Sequence, residues 1–253
     1  MLFRSPLLRA IAGVPDEALR RGLTHLQAAE FLYETSLFPD LEYTFKHALT
    51  HEVAYGSLLQ ERRRVLHAGI VETLERLAPD RLAEQVERLA HHALRGEAWD
   101  KALRYCRQAG TRVAAQSAYR EAVTYYEQAL MALRHLPDSR DLREQSIDVR
   151  LDLRTALIVL GDFGQLLDHL REAETMAEAL HDRRRLGWVS AHLTVLFSQM
   201  GDQEQALASG QRALALAEAL GDVVLQVRVM IQLGQVYYTL ATTVKLSNTP
   251  GGV

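Results

Sequence analysis

The sequence predicts a mainly α protein, in which a small mixed helix-and-hairpin region precedes an α-solenoid of antiparallel helix pairs. Three observations carry that expectation. From Asp80 onward apolar residues recur at helical spacing almost without interruption, with turn residues between the helices. Within this region a forty-residue stretch repeats itself. Before Asp80 the texture differs, because a patch of β-prone aromatic residues lies between helices.

Composition narrows the function classes. The chain has 253 residues, 48% of them apolar and 24% charged, ordinary values for a globular protein with a sizeable core. A formal net charge of −3 gives no global electrostatic case for nucleic acid or an acidic membrane as partner. The single cysteine, Cys106, cannot form an internal disulfide, so a reducing, cytoplasmic compartment fits. No run of about 18 apolar residues is present to span a membrane. Near the N-terminus, Pro6 and Arg9 interrupt the apolar stretch a secretory signal needs.

In the first region Pro15, Asp16 and Glu17 start a helix, with proline in the first turn and acids facing the dipole. That helix is expected to run to Phe31. Leu32 and Tyr33, then Tyr43, Thr44 and Phe45, read as a short hairpin around a Phe38-Pro39-Asp40 turn. Helices follow over Lys46 to Leu59 and Glu61 to Leu77, the second with Leu66, Ile70, Leu74 and Leu77 on one face, until Pro79 ends it. Helices, a two-stranded wing and another helix suggest a winged-helix-like domain, expected to be incomplete, and a connecting helix over residues 1–79.

The second region spans residues 80–242. Leu82, Val86, Leu89, Ala90 and Ala93 form one apolar stripe, and Trp99, Ala102, Leu103, Cys106 and Ala109 the next. Ala122, Tyr125, Tyr126, Ala129, Leu130 and Leu133 continue the pattern until Pro137 stops it, and a helix from about Arg140 to Leu160 follows. Then Gly161-Asp162 recurs as Gly201-Asp202, Ala173 as Ala213, Ala177 to Leu180 as Ala217 to Leu220, and Asp182 as Asp222. Glycine takes the left-handed conformation after the last helical turn and aspartate caps the next helix, so the two helices must lie antiparallel. Each pair exposes an apolar face that the next pair covers.

This pattern resembles the tetratricopeptide repeat (TPR) class. Gly110, Ala122, Tyr126 and Ala129 match that motif's glycine, alanine, aromatic and alanine, whereas Leu166, Leu170 and Gly210 depart from it. The resemblance implies a protein or peptide partner on the concave face. Register predicts another Gly-Asp near residues 241–242, where Ala241 and Thr242 stand instead. Residues 243–253, with Pro250 and Gly251-Gly252, read as a disordered tail, which leaves the last stacked face uncovered.

No catalytic motif is present. None of Lys46, Lys101 and Lys245 follows glycine in the phosphate-loop pattern, and there is no dinucleotide fingerprint or Gly-x-Ser-x-Gly. His47 and His51 share a helical face, but they lack the internal Glu of the zinc hydrolase motif, and His67, His91 and His92 are scattered, so no metal site is expected. Arg62, Arg63 and Arg64 read as a domain-facing basic cluster rather than a DNA contact, since Glu61 adjoins them and no basic arm exists. Cys106 reads as a small buried hydrophobe.

Tyr43-Thr44-Phe45-Lys46-His47-Ala48-Leu49, then Glu52, Ala54-Tyr55, Leu58-Leu59, Arg62-Arg63 and His67, resemble the winged helix after the ATPase core in signal-transduction ATPases with numerous domains (STAND). The resemblance is to bacterial members joining a class III adenylate or guanylate cyclase, an ATPase and TPR repeats. It implies that ATP or ADP is held by an upstream ATPase domain and that His47 contacts its phosphates. The expected function is therefore a non-catalytic regulatory and protein-interaction segment of a larger signalling ATPase. A stand-alone TPR adaptor is the alternative, and a winged-helix transcriptional regulator a more distant one.

Overall fold

The computed structural model describes residues 3–36 and 42–247. The chain divides into two compact units, residues 1–109 and 110–253. Among the described residues there are twelve α-helices and three short strands.

In the first unit, strand β1 (Phe3–Arg4) leads into α1 (Ser5–Ala12) and α2 (Asp16–Ala28). Helix α2 stops short of the expected Phe31 because Glu30 enters the left-handed region at φ 58° while the Phe31 amide donates to the Leu26 carbonyl. Strands β2 (Leu32–Ser36) and β3 (Glu42–Phe45) form the expected antiparallel hairpin, with Leu32 opposite Phe45 and Tyr33 opposite Thr44. The Phe38-Pro39-Asp40 turn lies outside the described residues. Strand β1 adds an unexpected third member, giving the order β1-β3-β2. Leu7, Leu32 and Tyr43 are buried from this side.

Helix α3 covers only Ala48–Gly56, within the expected 46–59 span. His47 has extended backbone (φ −130°, ψ 137°) and precedes the first turn, and Leu59 is extended again before α4 (Gln60–Leu77). On α4, Ile70 and Leu74 are buried as their spacing requires, but Leu77 is half exposed. Helix α4 ends at Leu77 as expected, and Pro79 opens a 3-10 stretch, Pro79–Gln85; the two compact units part at residue 109, beyond the expected boundary after residue 79. Then come α5 (Val86–Arg95) and α6 (Trp99–Ala115). Glu75 on α4 reaches Lys101 Nζ at 2.8 Å and Arg104 Nη2 at 2.6 Å on α6. Cys106 is fully buried, and burial pushes its thiol up to about 12. It is inert packing, not a nucleophile.

The second unit holds α7 (Tyr119–Leu133), α8 (Arg140–Leu160), α9 (Phe163–Ala179), α10 (Arg183–Met200), α11 (Gln203–Leu220) and α12 (Val223–Ser247). One turn design joins the last five. Gly161, Gly201 and Gly221 sit at φ 73°, 84° and 67°, and Asp162, Asp202 and Asp222 accept from backbone amides three residues on at 3.0–3.1 Å. Between α9 and α10 His181 takes the left-handed position at φ 54°, and Asp182 supplies the cap. Each such cap stabilises its helix by about 1 kcal/mol.

Small residues set the packing distance. Ala191, Ala213 and Ala217 are fully buried against Leu225, Val229 and Leu233. A Cβ on Gly210 would lie 2.5 Å from Leu233 Cδ2, so the leucine of α12 fills the volume that Leu170 supplies for itself forty residues earlier. The departure at Gly210 is therefore compensated from the neighbouring helix. Likewise a Cβ on Gly110 would lie 2.9 Å from the Tyr126 ring, which explains the glycine and aromatic residue picked out in the sequence.

Helix α12 continues to Ser247, so residues 243–247 are helical where a disordered tail was expected. Ala241 and Thr242 replace the helix-ending Gly-Asp and allow it to run on. Val224, Val227, Met230, Ile231 and Tyr238 are exposed on this last helix, as expected of an uncovered face. Among the described residues no helix is long and apolar enough to cross a membrane.

Candidate functional site

His47 is exposed at the N-cap of α3, beside the Lys46–Glu30 ion pair at 2.6 Å. His51, one turn on, faces inward, with its ring 5.3 Å from Phe45 and 6.0 Å from Tyr55. The two histidines thus have different surroundings. The three arginines also part company. Arg63 folds back to donate to the Leu58 and Gly56 carbonyls at 2.9 and 3.1 Å and lies 4.9 Å over Tyr55, capping the C-terminal end of α3. Arg64 pairs with Glu61 at 2.8 Å and Glu97 at 3.0 Å. Arg62 is exposed and borders a polar cavity of about 480 Å³ with Glu72 and Arg76.

The structure joins the histidines that looked scattered. A cavity of about 550 Å³ is walled by Phe45, His51, Tyr55, Leu66, His67 and Arg95, among others. Along it runs a chain of hydrogen bonds. Arg95 Nη1 donates to the Tyr55 hydroxyl at 3.3 Å, Tyr55 lies 3.0 Å from His67 Nε2, and His67 Nδ1 lies 2.8 Å from His92 Nδ1. Because arginine only donates, the chain has a consistent direction in which Tyr55 donates onward to His67 Nε2 and His67 donates through Nδ1 to His92 Nδ1. Burial first, then the charges of neighbouring histidines and Arg95, lowers His67 to about 4 and His92 to about 3. Both are neutral at pH 7. Among the described residues no group of three or more metal-ligating side chains converges here.

A second arrangement lies in the other unit, on α8, α10 and α12. Arg228 sits 5.4 Å over the Trp188 ring, whose centroid is 6.1 Å from that of His192. Burial, then the charges of Arg154 and Arg228, holds His192 down to about 3. Burial and the Arg228 charge lower Arg154 as well. Arg154 Nε, His192 Nδ1 and Gln232 Oε1 are buried without a hydrogen-bond partner.

Neither cluster stood out as a motif. His67 and His92 are 25 residues apart with nothing to link them. The second was within reach, because the forty-residue offset places Arg228 at the position of Trp188 and Gln232 at that of His192.

The fold defines a helical-repeat protein. No protein-family model matches the chain, and no curated protein is significantly similar to it in sequence. Solved structures do resemble it. One is BtubC (BKLC) from P. vanneervenii, at a TM-score of 0.54 and 21% identity, over 78% of this chain and 85% of that one. Another is a STAND protein with a tetratricopeptide repeat sensor from Pyrococcus horikoshii, at 0.45 and 13%, over 95% of this chain and 46% of that one. The first likeness extends to the fold alone, and the second is too distant to carry an argument.

Proposed function

We propose that the chain is a non-catalytic regulatory and protein-interaction segment of a cytoplasmic signalling ATPase. The repeated helix pairs of the second unit bind a protein partner, and the first unit, as a winged helix, couples that event to an upstream nucleotide-binding domain. The observation that carries the interaction role is the array itself: α8, α10 and α12 recur in register and present side chains on a shared face. The coupling role is supported by the resemblance of the segment from Tyr43 to His67. ATP or ADP is held by the upstream domain, where exposed His47 donates to a phosphate oxygen. Since Arg63 and Arg64 are occupied within the chain, Arg62 is the member of the basic cluster left for a domain contact. Partner binding shifts the ATPase only through contacts that differ between two domain arrangements.

The test is the size of the native gene product, read by blotting cell extract with an antibody to the repeat region. A band several times heavier than 28.5 kDa supports the signalling ATPase, and a band at that mass leaves a stand-alone adaptor. In the heavier product His47→Ala is expected to weaken ADP retention about tenfold, the loss of one charge-assisted contact. Unchanged ADP affinity overturns the sensing role.

A further inference from the structure

We propose that the face shared by α8, α10 and α12 binds an acidic peptide, with one carboxylate seated between Arg154 and Arg228. This deepens the interaction role above and rests on it.

The charge on this face is unneutralised. Arg154 is half buried, touches only the Thr155 hydroxyl at 3.4 Å, and leaves Nε without a partner. Arg228 lies over Trp188, and neither arginine has an ion-pair partner among the described residues. His192 is 8% exposed and its Nδ1 is unpartnered. Two other partly or fully buried arginines of the same unit are paired. Arg150 bonds Glu172, and Arg185 meets Asp148 at 2.8 Å, Asp182 at 2.7 Å and Glu144 at 3.2 Å. The Arg228 charge acts on Arg154, and two such guanidinium groups without a counter-charge destabilise the free protein, a repulsion that a bound carboxylate relieves. Bidentate recognition of a carboxylate is what the planar guanidinium does best.

A peptide fits better than a bare anion. Gln232 stands one helical turn beyond Arg228, and its buried Oε1 calls for an N–H donor, which a peptide backbone supplies. The Trp188 ring beside Arg228 offers apolar surface for the aliphatic stem of an acidic side chain.

The test uses the full chain carrying Trp99→Phe, so that Trp188 is the remaining tryptophan of two. Its emission is followed on titration with an end-blocked hexaglutamate peptide, hexaglutamine, or inorganic phosphate at equal ionic strength. The expected result is saturable binding of hexaglutamate alone, weakened at least tenfold by Arg154→Met and by Arg228→Met, but not by Arg183→Ala at the exposed start of α10. Melting curves establish that each variant is folded, and Arg154→Lys retains part of the affinity. Equal binding by the methionine variants, no saturation at millimolar peptide, or competition by phosphate as effective as by peptide overturns the proposal. If hexaglutamate fails while an identified protein partner still binds the full chain, this site falls and the interaction role stands. If the peptide binds as expected but the native chain has no protein partner, the interaction role falls instead.

Discussion

At the scale of single residues, the chain tolerates buried polar groups by two opposite means. The His67 and His92 rings are neutral and bonded to each other, with both His67 nitrogens and His92 Nδ1 in the chain of bonds that starts at Arg95. Their pKa values, about 4 and about 3, lie below the ordinary histidine value. The unfolded chain therefore takes up protons that the folded chain does not, and the stability held above pH 6.5 is lost as pH falls toward 4. Unfolding in urea at pH 7 and pH 5 is expected to show a loss of roughly 1–2 kcal/mol per histidine, with His192 acting in the same direction. In an NMR titration the His67 and His92 ring signals are expected to stay put between pH 7 and pH 5, and movement there would refute the buried neutral pair. Arg154 is the opposite case, a guanidinium left uncompensated. Replacing it by methionine is expected to raise the urea midpoint, by about 1 kcal/mol in stability, because a charge kept for binding is a cost to the free fold.

At the scale of elements, the joints matter more than the helices. Gly201 at φ 84° holds a conformation that a Cβ disfavours, so Gly201→Ala is expected to cost about 1–2 kcal/mol. His181 occupies the same kind of position at φ 54° with a Cβ already present, so His181→Gly is expected to gain a few tenths to 1 kcal/mol. Thermal melts of the two variants should move in opposite directions. Gly210→Leu restores the residue type of Leu170 but collides with Leu233, and a cost of about 1–3 kcal/mol is expected. Much of this was legible. Gly161-Asp162 and Gly201-Asp202 located two turns, and the spacing of Ala122, Tyr126 and Ala129 located α7 within a few residues. What escaped were features set by tertiary contact. Nothing local says that His181 does a glycine's work, that residues 79–85 wind as a 3-10 stretch, or that β1 joins the hairpin. The cluster at His92 stayed hidden for the same reason, since helical periodicity reports which face is apolar and not which polar groups meet upon it.

At the scale of the whole molecule, repetition governs how the second unit holds together. Each helix pair leans on the next one along the chain, so stability is a sum of pair terms and neighbour terms. Exposed Val224, Met230 and Ile231 on α12 mark a face with no such neighbour among the described residues. The forty-residue period has a consequence for biosynthesis. A helix leaving the ribosome finds the surface it needs either already made or only a few seconds of translation away, because no essential contact waits for a distant part of the chain. The array can therefore set one pair at a time while the rest is still being made, and the Gly-Asp joints mark the points at which each newly emerged helix turns back onto the one before it.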